Sequence, residues 1–93
     1  MDAYVYILRC KDNTLYTGWT NDIVHRLAAH RAGKGAKYTK GRGPLVLAYL
    51  EKLENKSDAL KREAAIKALT RIEKLRLIND WECPQEFSEL INE

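Results

Sequence analysis

Ninety-three residues suffice for one hydrophobic core and are too few for a second, so a single domain is expected. A composition of 45% hydrophobic and 31% charged residues is that of an ordinary globular chain, and no apolar run approaches the roughly 18 residues that cross a bilayer. The net charge of +3 is modest, but no Asp or Glu occurs between Ile23 and Leu50, a stretch that holds Arg26, Arg31, Lys34, Lys37, Lys40 and Arg42.

No basic start leads into a long apolar run with a small-residue cleavage site, so no membrane association is expected and the cytoplasm is the expected compartment. Cys10 and Cys83 lack the paired spacing of zinc or redox motifs; Cys10 is expected to pack as a small hydrophobe.

Ala3 to Cys10 is aromatic and β-branched on both alternating faces until Arg9, which predicts a strand covered on both sides. Lys11-Asp12-Asn13 is turn chemistry, because Asp and Asn tolerate left-handed conformations and bond to nearby backbone. Leu15 to Trp19 then returns as the second strand of a hairpin. Gly18 within it marks a place where another group comes close. Thr20 or Asn21 is the expected cap of the next helix, with Asp22 favourable near its positive end.

Ile23 to Arg31 has helical spacing, with Ile23, Val24 and Leu27 on one face and Arg26 and His30 four residues apart along its edge. Both polar groups are expected to lie along the sheet surface, whereas His25 faces outward. Gly33 stops the helix. The Gly- and Lys-rich stretch through Pro44 is a loop with one helical turn near Lys37-Tyr38, suited to tracking a polyanion through Arg31, Lys34, Lys37, Lys40 and Arg42. Leu45 to Leu50 is a continuous apolar run and predicts a third strand.

Ser57 is the expected cap of a helix from Asp58 to about Leu69. In projection Glu63 falls between Ala59 and Leu60, inside the apolar stripe, where a carboxylate must be paired, metal-bound or neutralised. Pairing with Lys67 at i+4 is the simpler alternative. Thr70 to Asp80 continues as a further helix. Residues 81–93 form an acidic tail with no Lys or Arg, including Glu82, Glu86, Glu89 and Glu93, which Trp81 and Phe87 are expected to pack back on the domain spanning residues 1–80.

Two tyrosines, an arginine, a histidine and one carboxylate beside a basic loop suit phosphodiester cleavage better than acyl or glycosyl transfer. Hydrolysis of a phosphodiester needs an activated water and neutralisation of charge at phosphorus. Glu63 can hold Mg²⁺, which keeps several waters and binds substrate phosphate, and Arg26 supplies a permanent cationic fork. A tyrosine, with an ordinary pKa of about 10, serves as a base only where a cation or metal favours its phenolate.

These residues resemble the GIY-YIG nuclease family. Tyr4-Val5-Tyr6 on the first strand corresponds to its first tripeptide and Tyr16-Thr17-Gly18 to its second, with Tyr6 and Tyr16 ten residues apart. Arg26, His30 and Glu63 match the arginine, the following His or Tyr, and the glutamate of a later helix. The resemblance implies an α+β fold, a three-stranded antiparallel sheet flanked by helices. It further implies that Tyr16 is the general base, that Tyr6 orients water or phosphate, and that Arg26 stabilises the transition state. His30 would assist the base or contact phosphate, and Glu63 would bind a single Mg²⁺ or Mn²⁺. Tyr4, Val5 and Thr17 depart from the motif as side chains a strand accommodates.

The expected function is therefore a metal-dependent endonuclease hydrolysing DNA, directed by branched or single-stranded structure, with a protein partner supplying further specificity. The alternative is a catalytically weak or inactive nucleic-acid-binding module. An adaptor acting through the acidic tail is a third reading, against which the intact set of site residues argues.

Overall fold

The computed structural model describes residues 2–91; Glu93, the last residue of the acidic tail, lies outside them. β1 (Ala3–Arg9) is the middle strand of a three-stranded antiparallel sheet in the order β2-β1-β3. That position accounts for its composition, since a strand covered on both faces needs apolar side chains in both alternating sets. Tyr6 and Leu8, with Cys10 just beyond, pack with Ile23 and Leu27 of α1 (Ile23–Arg31), whereas Ala3, Val5 and Ile7 pack with Ala59 and Ile66 of α2 (Lys56–Lys67). β2 (Leu15–Thr20) pairs with β1 from Tyr4↔Thr20 to Arg9↔Leu15. β3 (Val46–Leu53) takes the other edge, with a register irregularity between Ile7 and Leu8.

Several boundaries differ from the sequence expectation, each for a local reason. The cap of α1 is Asp22, whose carboxylate accepts from the His25 amide at 3.2 Å; Thr20 instead receives the Asp22 amide. β3 runs past its apolar stretch to Leu53, because pairing with β1 continues through Glu51 and Lys52 down to Ala3. α2 begins at Lys56, capped by Asn55, whose side chain accepts from the Asp58 amide at 2.9 Å, and not by Ser57. Leu60 is exposed, so the inward stripe of α2 runs Ala59, Glu63, Ile66. Arg62 on the neighbouring edge donates to Glu51 of β3 at 2.9 Å and fixes the rotation of the helix against the sheet. α3 (Arg71–Asp80) starts with a capping box in which Thr70 and Glu73 satisfy each other's backbone amides.

From Trp81, beside Tyr49 of the α2-side cluster, the chain crosses to the α1 face of the sheet, where Phe87 and Leu90 pack. Trp81 packs near Tyr49 with ring centroids 6.1 Å apart, Phe87 meets Tyr4 edge-on at 6.0 Å, and a 3₁₀ turn (Gln85–Leu90) ends with the Leu47 amide donating to the Ile91 carbonyl at 3.0 Å. Arg31 holds this return in place. Its guanidinium donates to the carbonyls of Leu45, Leu90 and Ile91 at 3.2, 2.6 and 3.3 Å. The sequence grouped Arg31 with the polyanion-binding loop, but its position at the last turn of α1 turns it toward the protein interior.

Arg31→Ala is accordingly expected to lower unfolding free energy by about 2–3 kcal/mol, the scale of charge-assisted hydrogen bonds lost together. A solvated surface cation would change it by no more than about 0.5 kcal/mol, and the urea midpoint at unchanged slope distinguishes the two.

Candidate active site

The β1–β2 turn closes through the Cys10 amide on the Thr14 carbonyl and the Asn13 amide on the Cys10 carbonyl, both at 2.9 Å, with Asn13 at φ 66°. Asn accepts this left-handed geometry more readily than most residues. The resulting register sets Tyr6 opposite Gly18 and Leu8 opposite Tyr16, so both phenols lie on the α1 face of the sheet, diagonally across two strands. A Cβ on Gly18 would stand 2.6 Å from the Tyr6 hydroxyl and 3.1 Å from the Tyr16 ring. Glycine is needed here because the Tyr6 phenol lies directly across it.

α1 brings two further groups to these rings. The Tyr6 hydroxyl meets His30 Nε2 at 2.7 Å, and His30 Nδ1 meets the Thr39 hydroxyl at 2.9 Å. Thr39 donates to the Ala36 carbonyl at 3.0 Å, which leaves its oxygen to accept from Nδ1–H. His30 is thereby fixed as the Nδ1–H tautomer, with Nε2 accepting from the Tyr6 hydroxyl. The Tyr6 oxygen in turn accepts from Arg26 Nε at 3.4 Å. Tyr6, His30 and Thr39 are all 1% exposed or less, so this relay is sealed from water. Gly35 completes the seal: a Cβ there would lie 2.4 Å from His30 Nδ1.

Burial sets the charge states. It pushes the Tyr6 phenol up to about 12, against the opposing pull of the Arg26 hydrogen bond, with the Tyr16 and Glu63 charges adding to the rise. Burial, and next the nearby Arg26 charge, lowers His30 to about 4, so the imidazole is neutral at pH 7. The Tyr6 hydrogen bond and then the Tyr16 phenol hold Arg26 more firmly charged than an ordinary arginine. The site thus presents one half-buried fixed cation beside one half-exposed phenol, Tyr16, over a neutral buried relay.

Glu63 sits on α2, on the other side of the sheet from α1, and its charge adds to the rise of the Tyr6 phenol. Its side chain is only 16% exposed and pairs with Lys67 at 3.4 Å. Among the described residues no group of three or more His, Cys, Asp or Glu side chains is placed to hold a metal ion. A single recessed carboxylate fits an ion of the Mg²⁺ kind, which binds through one or two carboxylates together with water and substrate phosphate.

A family model described as the GIY-YIG catalytic domain matches residues 2–76. The chain belongs to the GIY-YIG family. It is 60% identical over 75 residues to a UPF0213 protein of Oceanobacillus iheyensis, covering 81% of this chain and 87% of that one. A UPF0213 protein of Clostridium perfringens is 57% identical over 83 residues, covering 89% of each chain. The solution NMR structure of a UPF0213 protein from Bacillus halodurans superposes with a TM-score of 0.60 at 44% identity, covering 92% of both chains. The solution NMR structure of an E. faecalis protein gives 0.59 at 37% identity, covering 91% of this chain and 94% of that one. The three-stranded α+β fold is that of these structures.

Within this GIY-YIG chain the departures from the motif have local uses. Tyr4, in place of the first glycine, is the ring that receives Phe87 from the returning tail. Val5 and Thr17 point to the opposite, α2-covered face and are buried. Of the basic loop, Lys34, Lys37 and Lys40 are exposed, while Arg42 lies over the Tyr38 ring at 4.4 Å and pairs with Asp12 at 2.6 Å. Sequence reasoning missed Thr39, Gly35 and Tyr38. Tyr38 stacks on Tyr16 with centroids 5.9 Å apart and planes 25° from parallel. The available signal was a run of small residues, Gly33, Gly35 and Ala36, ahead of a lone Thr in an otherwise basic loop.

His30 is expected to remain neutral and Nδ1-protonated until pH falls to about 4, read from its ¹⁵N shifts. Because the unfolded chain protonates this histidine near 6.5, its contribution to stability, roughly 3 kcal/mol, is complete above that pH and lost as pH falls toward 4. Thr39→Val should abolish the tautomer preference and cost about 1–3 kcal/mol by leaving Nδ1–H unpaired, while Thr39→Ser retains both.

Proposed function

We propose that this GIY-YIG chain is a metal-dependent endonuclease that hydrolyses phosphodiester bonds of DNA, selecting structure rather than sequence. The observation that carries the reading is Arg26 held between two phenols, Tyr6 and Tyr16, with the Tyr6 hydroxyl accepting from its Nε at 3.4 Å.

Arg26 binds a non-bridging phosphate oxygen and offsets the charge that builds on phosphorus in the transition state. Its Nε bond to Tyr6 aims the guanidinium, and the His30–Thr39 pair keeps Tyr6 from turning. Tyr16, half-exposed beside this cation, takes the proton of the attacking water. Water oxygen bonds to phosphorus, the bond to the leaving sugar oxygen breaks, and that oxygen takes a proton from solvent. Glu63 would hold Mg²⁺ or Mn²⁺, which supplies further charge neutralisation at the phosphate. Tyr6 and His30, being buried, act by positioning and do not meet the substrate themselves.

The Glu63–Lys67 contact favours a second reading, a binding module in which the carboxylate is committed to its helix neighbour. A panel of labelled flaps, forks, junctions and single strands with Mg²⁺ or Mn²⁺ separates the two. The nuclease reading expects nicked product that Glu63→Ala and Arg26→Ala each reduce by at least about 100-fold, with melting unchanged. Equal product from the variants, or none from the native chain with either metal, contradicts it.

A further inference from the structure

A cationic groove leaves the candidate site along the edge of β2. Two adjoining cavities of about 240 and 210 Å³ share Leu15, Tyr38 and Lys74 in their walls. The nearer one includes Tyr16 and Lys67, and the farther one Arg71. Neither is lined by an acidic side chain. Lys67 comes from the last turn of α2, Arg71 opens α3 and Lys74 follows one turn on, so the α2–α3 junction lays three cations along one wall. Arg71 is anchored there by its bond to the Asn13 carbonyl at 2.8 Å. Lys74 is half-buried and has no ion-pair partner among the described residues. The opposite wall is Tyr38, 41% exposed, its ring stacked on Tyr16 and covered by the Arg42 guanidinium at 4.4 Å, which leaves its edge open to the groove.

Lys74 is a half-buried cation without a counter-charge, which favours an anion; in line with the exposed Arg71, with Lys67, whose ammonium is shared with Glu63, and with an exposed aromatic ring, it suits a strand that offers phosphates and bases in alternation. Both cavities fall below the roughly 300–1,000 Å³ of clefts that enclose drug-sized ligands. A ring that meets a base face or edge needs that base unpaired, which a single strand offers and a duplex does not.

We propose that this groove binds a single-stranded DNA segment running from Tyr16 toward Lys74, with Arg71 and Lys74 on its phosphates, Lys67 shared between the strand and Glu63, and a base against the open edge of Tyr38. The inference rests on the nuclease reading for the strand's destination, and it makes the substrate one with an unpaired arm. The sequence placed polyanion contacts in the Arg31–Arg42 loop; this wall lies on a different pair of helices.

The test is binding of a fluorescent oligothymidine strand by anisotropy in EDTA, where turnover cannot contribute, with the matched duplex as comparison. Lys74→Ala should weaken single-strand binding about tenfold and reduce the slope of log affinity against log salt by about 0.7, the value for one phosphate contact on a single strand. Tyr38→Ala should weaken it by about tenfold or more, whereas Tyr38→Phe stays near the native value. Lys61→Ala, on an exposed part of α2 away from the groove, should bind as the native chain does. Native affinity in both Lys74→Ala and Tyr38→Ala, equal affinity for duplex, or no single-strand binding at all overturns the proposal. Strand binding that depends on Lys74 and Tyr38 without cleavage at any metal concentration would instead overturn the nuclease reading alone. Cleavage by a chain whose strand binding ignores both residues would overturn the groove alone.

Discussion

The hydrogen bond from Tyr6 to His30 ties the middle strand of the sheet to the first helix, and the geometry of the site depends on it. It is made without water, by two groups that both prefer to stay neutral when buried. Neutrality gives each ring atom one definite role. Because Thr39 takes the Nδ1 proton, Nε2 must accept from Tyr6; because Tyr6 donates there, its oxygen lone pairs remain for Arg26. A buried relay with no freedom in its protons thus orients a surface guanidinium, and a break anywhere along it is felt at Arg26. The two glycines at contact distance from this relay, Gly18 beneath Tyr6 and Gly35 against His30, permit rings to lie where a side chain would otherwise stand.

This division separates groups that hold position from groups that can meet a substrate. Tyr6, His30 and Thr39 hold; Tyr16 and Arg26 are the half-exposed members, and Glu63 approaches from the helix layer on the opposite side of the sheet. The carboxylate is recessed because α2 turns its Ala59–Glu63–Ile66 stripe inward, a rotation fixed in part by the neighbouring Arg62–Glu51 pair. With that carboxylate recessed on α2, the charged side chains that line the hollow beside Tyr16 are Lys67, which pairs with Glu63, and Lys74.

The elements were legible in the sequence wherever periodicity and turn chemistry agree. The hairpin follows from the apolar run of Ala3–Cys10 and the Asp12-Asn13 turn, the helix bearing Arg26 and His30 from the spacing of Ile23 and Leu27, and the third strand from the continuous apolar run Leu45–Leu50. Glu63 was visible as a charge out of place on an apolar stripe. Boundaries were less legible because caps depend on which side chain the backbone brings near: Asn55 and Asp22 outcompete Ser57 and Thr20 through geometry and not through composition. The far end of β3 was hidden because pairing partners, not hydrophobicity, carry a strand through Glu51 and Lys52. Thr39 and Tyr38 lie in a loop without period, and Arg31 shares its composition with surface cations; only the folded chain distinguishes a clamp on carbonyls from a contact for phosphate.

The proposed nuclease site is one metal-competent site bounded by Tyr16, Arg26 and Glu63 at the Gly18 edge of the sheet. Paramagnetic broadening of amide signals by substoichiometric Mn²⁺, recorded with a phosphorothioate single strand that resists cleavage, tests it most directly. The account predicts broadening centred on Glu63 and extending to Tyr16, Gly18 and Arg26, and its loss in Glu63→Ala. Broadening centred on the acidic tail at Glu82, Glu86 and Glu89, unchanged by that substitution, would contradict it.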